Sequence, residues 1–182
     1  MKRSWLSLAG CCVLAGCAAT GSGYEDMGSQ VAQVPNGAAR VVFFRTDESL
    51  LYSARKARVL VDGEKTGGCA LGGFFFRDLP AGEHRLVADM WDAPGRCEVV
   101  VGAEAGQIYY FQVDPRVQSF WGFAGPAAAS ELLGQSIAFS IAAGVGGMTA
   151  ESYGKECGGV FQLYPVDEPT ALERLATLKL SD

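Results

Sequence analysis

His84 is the only histidine among the 182 residues of the chain, so it is the only imidazole available as a general base. Such a base needs a nucleophile in reach and usually a carboxylate to orient it. Glu83 adjoins it, but neighbouring side chains on a strand point to opposite faces. Asp89, five positions on, also faces away. His84 therefore reads as a strand-surface residue without a catalytic partner, and no enzyme and no catalytic residue are expected. There is no P-loop, no dinucleotide fingerprint and no Cys-x-x-Cys pair. Histidines and paired carboxylates are too few for a nitrogen or oxygen metal site, so neither metal nor cofactor is expected. Phe74, Phe75, Phe76, Trp91, Tyr109 and Tyr110 offer flat faces that could stack on a sugar. Alternation along strands sends at least half of them into the core, which leaves a glycan-binding face as the alternative.

The six cysteines say more. Lys2 and Arg3 precede an apolar run, residues 6–16, that is shorter than the ~20 residues a membrane span needs. The run ends in Leu14-Ala15-Gly16-Cys17. This resembles the lipobox of bacterial lipoproteins, in which a small residue lets the peptidase approach and the cysteine thiol carries the lipid. The resemblance implies a signal peptide over residues 1–16 and lipidation of Cys17. Leu8-Ala9-Gly10-Cys11 also fits, but would leave a very short apolar run. Ala18 rather than Asp after the cysteine implies the outer membrane, with the domain on its periplasmic side. Cys69, Cys97 and Cys157 then remain in an oxidising compartment. If consecutive strands alternate in direction, all three lie near one pole. Cys69 with Cys97 is the favoured disulfide because both belong to the compact core, leaving Cys157 free or paired between molecules. A three-thiolate zinc site is the sharper and less favoured alternative.

The mature chain would hold 13 basic residues against 20 acidic ones, a net charge of −7. That excess argues against nucleic acid or an anionic lipid surface as the main partner. Residues 17–38 are rich in Gly, Ser, Ala and Gln without a sustained period, and read as a flexible tether. Residues 39–182 make one domain. Seven β-prone runs, 39–45, 58–62, 72–77, 83–92, 96–101, 107–113 and 159–164, alternate with Gly- and Pro-marked turns. They predict an all-β, seven-stranded antiparallel sandwich. The first run, Val41 to Phe44, is continuously apolar and predicts burial on both faces. Asp62-Gly63 predicts a two-residue hairpin. Arg55, Lys56 and Arg58 read as a solvated basic group. Asp167, Pro169, Leu172, Leu175 and Ala176 predict a short closing helix over 167–178.

Val59-Leu60-Val61-Asp62-Gly63-Glu64-Lys65, Leu79-Pro80-Ala81-Gly82-Glu83-His84 and Ala105-Gly106-Gln107-Ile108-Tyr109-Tyr110 carry a family resemblance. They look like small bacterial lipoproteins that share a domain of unknown function. Those are similar to prealbumin-like (transthyretin-like, Ig-like) sandwiches and to surface-layer repeats with a Pro-Glu-Gly-Ala signature. The resemblance covers residues 39–114 and 159–178. It departs at Ala81, where the family usually has Pro-Gly, and at the long insertion after Asp114. It implies a fold and no activity.

That insertion, residues 115–158, is apolar: between Val117 and Ala150 the only charge is Glu131. Gly125-Pro126 predicts a helix start and Gly144 a stop, giving a helix over about 126–143. Gly134, Ala138, Ala142 and Gly146 recur every four residues, a stripe through which helices approach closely. It is expected either to pack on the sandwich end or to meet the membrane or a second copy. The combined expectation is an outer-membrane lipoprotein acting as a binding or envelope-assembly module. Its partners would be the membrane through its lipid, and an envelope protein or a glycan. The alternative is a structural lipoprotein that oligomerises or touches membrane through the insertion.

Overall fold

Val41, Val42, Phe43 and Phe44 are all fully buried, and their alternation explains how. Val41 and Phe43 pack between two sheets, whereas Val42 and Phe44 pack beneath helices on the opposite face. A strand can be apolar on both faces only at the centre of a layered arrangement. The computed structural model describes residues 18–132 and 157–181, together with 142, 145, 146, 148 and 149.

The described elements run α1 (Tyr24–Ala32), β1 (Ala38–Arg45), β2 (Ala57–Val61), β3 (Glu64–Cys69), β4 (Gly73–Pro80), β5 (Gly82–Asp89), β6 (Arg96–Ala103), β7 (Ile108–Pro115), α2 (Val117–Leu132), β8 (Phe161–Val166), α3 (Glu168–Leu175) and β9 (Lys179–Leu180). One sheet has the order β8-β7-β1-β4-β9 and the other β3-β2-β5-β6. The fold is β-rich, in two sheets, but it is not a seven-stranded antiparallel sandwich. β3 and β9 are additional strands, and β1 pairs in parallel with β7, as β4 does with β9. Phe43, Phe75 and Phe111 interlock between the sheets, with Phe43 and Phe75 stacked at 5.0 Å.

The other face of the five-stranded sheet carries α1 and α3. Tyr24 and Val31 of α1, with Ala171 and Leu175 of α3, bury Val42, Phe44 and Phe74. Residues 18–38 are therefore not a loose tether. Arg40 explains the docking of α1: its guanidinium donates to the Gln30 and Val31 carbonyls at 2.5 and 2.8 Å. These lie in the last turn, whose carbonyls lack intrahelical partners and favour a cation. The same guanidinium holds Asp78 through two contacts, 2.6 and 2.8 Å.

The closing helix starts as expected, with Thr170 N–H donating to Asp167 at 3.1 Å. Ala171 and Leu175 are its buried residues, and Leu172 faces outward. α2 begins at Val117 and has Pro126 inside it, so the proline does not start the helix. Pro126 removes one N–H and the helix continues past it. Its beginning is set by the exit from β7: Ser119 and Arg116 both donate to the Gly159 carbonyl, at 2.8 and 2.9 Å.

Candidate functional site

Arg45 ends β1 with a side chain that is wholly buried. It donates to the carbonyls of Arg55, Leu51 and Tyr52 at 2.7, 2.9 and 3.2 Å, and its guanidinium lies 4.9 Å from the Phe161 ring centre. Its Nε and the Tyr52 hydroxyl are buried without a hydrogen-bond partner among the described residues. Burial pulls this guanidinium below its usual value, while Cys69 and Asp114 act in the other direction. Loop carbonyls replace the water that this cation gave up. The result is a fixed β1–β2 loop, with Tyr52 edge-on to Phe161 and to Phe120 of α2. Arg55 pairs with Asp92 at 2.8 Å, which ties that loop to the β5–β6 connection. Arg58 pairs with Asp89 through two contacts of 2.6 Å. Two members of the expected basic group thus spend their charge on aspartates.

The pole braced in this way exposes four large apolar side chains among charged ones such as Asp47, Glu48, Lys56 and Arg96. Leu50, Trp91, Val117 and Trp121 are 73%, 71%, 51% and 64% exposed. They come from the β1–β2 loop, the β5–β6 loop and α2. The Ala18 backbone arrives here too, bridged to Leu71 in the β3–β4 turn. Large apolar groups gathered on one surface mark an interaction site more than single ones do. Composition alone hid this patch, because its members are spread over 72 positions of sequence and meet only at strand ends.

A second feature lies along one side. β6 pairs with β5, and residues 157–159 cover the start of its other edge: Gly158 N–H donates to the Arg96 carbonyl at 3.1 Å. Beyond that an open groove of about 330 Å³ runs between Val99–Gly102 and the Ile108–Phe111 stretch, closed by Pro165 and Val166. Val100 is 54% exposed there.

The cysteines correct the expected pairing. Cys97 is joined to Cys157, and Cys69 is a free, buried thiol. Cys69 and Cys97 do share a pole, but they sit on opposite edges of the β3-β2-β5-β6 sheet. Three strand spacings of about 4.8 Å separate them, and a disulfide needs Cα atoms within about 7 Å. Cys157 instead faces Cys97 directly across an antiparallel bridge. Burial pushes the Cys69 thiol far up, so it stays protonated.

His84 has a partner that its sequence neighbours did not reveal. Its Nδ1 lies 2.6 Å from Asp62 and its Nε2 2.8 Å from the Pro80 carbonyl. Asp62 is 22 positions away and reaches His84 because β2 pairs with β5. Both ring nitrogens are engaged, so the contact braces two turns. The aromatics do not form one face: Phe74, Phe75 and Tyr110 are buried, Phe76 lies under Arg40, and Trp91 alone of the six is largely exposed. Of the four-residue stripe, Gly134 and Ala138 lie outside the described residues. Ala142 and Gly146 are helical and exposed, and nothing lies within 4 Å of a Cβ built on Gly146. Among the described residues no three His, Cys, Asp or Glu side chains gather as metal ligands, and no helix is long and apolar enough to cross a membrane.

The model of a protein family of unknown function, DUF2846, matches residues 35–126, half of the chain. The chain belongs to the DUF2846 family. The match begins just before β1 and ends within α2, so the β1–β7 core, the Trp91 loop and Trp121 are family territory. No curated protein matches the chain.

Proposed function

We propose that this DUF2846 protein is an outer-membrane lipoprotein, acylated on Cys17, whose domain faces the periplasm as a binding or envelope-assembly module. The kinship to prealbumin-like lipoproteins belongs to the same reading. The observation that carries the binding role is the open side of β6. A strand with one neighbour presents unpaired N–H and C=O groups on its other side, and an added strand satisfies them. Here that edge borders an apolar groove with Val100 turned outward. Main-chain pairing along Val99–Ala103 with side chains in the groove suits an extended apolar segment of an envelope polypeptide. The reading gives the protein no reaction to perform, since its one histidine is spent on Asp62 and Pro80.

A photo-crosslinker at position 100 of the full chain, activated in cells, tests the groove. The reading expects a discrete crosslinked envelope protein that is lost when Val99 is replaced by Lys. Crosslinks absent, or unchanged by that substitution, overturn it. The second reading, self-association through the insertion, draws on the exposure of Ala142 and Gly146. Its signature is a multiple of the monomer mass that Ala142→Leu reduces.

A further inference from the structure

Residues 18–23 are fastened to the fold. Ala19 N–H donates to the Leu71 carbonyl at 3.1 Å, Gly21 N–H to Leu180 at 3.1 Å, and Leu180 N–H returns to Ser22 at 2.8 Å. Gly21 is pressed so close that a Cβ there would meet the Leu180 oxygen at 2.6 Å. Ala18, the residue that follows Cys17 in the chain, is itself bridged to Leu71 of the β3–β4 turn. That turn belongs to the pole bearing Leu50, Trp91, Val117 and Trp121.

We propose that this pole rests on the bilayer holding the Cys17 acyl chains, with Trp91 and Trp121 in the headgroup region. The inference rests on the acylation reading above and deepens it by giving the domain an orientation. Tryptophan suits this position because its ring is largely apolar and its N–H still finds a polar partner. Four exposed apolar residues would bind lipid weakly by themselves. Once the lipid is inserted, however, contact becomes intramolecular and the short reach makes the local lipid concentration high. The Arg55–Asp92 and Arg58–Asp89 pairs neutralise each other beside the patch. Docked this way, the β6 groove runs up the side of the domain, open to the periplasm.

The mature chain contains two tryptophans, Trp91 and Trp121, since Trp5 leaves with the signal peptide. The test therefore uses intrinsic fluorescence of the full protein, extracted from membranes and weighed intact to establish its lipid. It is reconstituted in vesicles of phosphatidylethanolamine and phosphatidylglycerol, with or without bromine on the acyl chains. Both tryptophans should lose emission in the brominated vesicles, read separately in Trp91→Phe and Trp121→Phe. Acylated protein with emission indifferent to bromine overturns the docking and leaves the lipoprotein reading standing. The same indifference together with a doubled mass puts a second copy on the pole, and also overturns it. A mass without lipid on Cys17 overturns both readings.

Discussion

An imidazolium is the form of His84 that this fold favours. Its two neighbours, the Asp62 carboxylate and the Pro80 carbonyl, both accept, so both ring nitrogens must donate. Its pKa is raised, first by the hydrogen bond to Asp62 and then by Pro80. Asp62 is held below the usual carboxylate range, first by the Arg85 N–H and then by His84. The signs follow from linkage. The stability His84 contributes is fully present below its unfolded value of about 6.5 and is lost as pH rises through its higher folded value. The part from Asp62 is present above its unfolded value and lost as pH falls through its depressed folded value. The melting temperature lost in His84→Ala should therefore be larger at about pH 6 than at about pH 9. A loss equal at the two values contradicts a charged His84. At the same turn, Asp62 and Gly63 have φ of 51° and 87°, as a tight hairpin requires. A Cβ at Gly63 would meet nothing within 4 Å, so the cost of Gly63→Val is conformational rather than steric. It should be on the order of 1 kcal/mol or more. A denaturation midpoint unchanged by the substitution contradicts this.

Elements stand or fall here on contacts distant in sequence. Arg40→Ala strips the end of α1 of its cation and leaves Asp78 without its partner. It should cost on the order of 3 kcal/mol and open the chain to proteolysis around residues 24–33; unchanged protease resistance counts against the docking of α1. Cys97 and Cys157 are 60 positions apart, and closing a loop of that length stabilises by about 4 kcal/mol in the chain-entropy account. Cys157→Ser should lose most of that in denaturant unfolding. In the parent, Cys69 should resist alkylation until the protein unfolds, because a buried, protonated thiol is a poor nucleophile. Rapid alkylation of the native protein contradicts its burial.

Several elements were legible in the sequence and others were not, for physical reasons. The apolar run of β1, the Asp62-Gly63 turn and the Asp167 cap are local signals, and each appears where its chemistry points. β3 was missed because Gly67 and Gly68 weaken any strand signal. Gly67 lies under Phe75 of the opposite sheet, where a Cβ would come within 2.6 Å of the ring. α1 was hidden by its small and polar residues, since Arg40 and the sheet hold it more than its own propensity does. The disulfide was misassigned because sharing a pole is visible in strand alternation, whereas sheet order is not.

At the scale of the whole molecule, the described residues form a layered β domain with helices over one sheet, an open groove beside β6, and a pole that exposes several large apolar side chains. The candidate site was the least legible part. Leu50, Trp91 and Trp121 were separate residues in separate connections until strand directions brought their ends together. The expectation for residues 17–38 changes too: in place of a flexible tether, residues 18–32 lie against the fold and α1 packs on the sheet. Everything in that account hangs on the chemistry of Cys17. The most direct test is mass spectrometry of the mature N-terminus from membranes, alongside fractionation of Cys17→Ser. The account predicts a chain beginning at an acylated Cys17, and a variant released from the outer membrane. A chain beginning at Cys11, an unmodified Cys17, or a variant that still sediments with the outer membrane would contradict it.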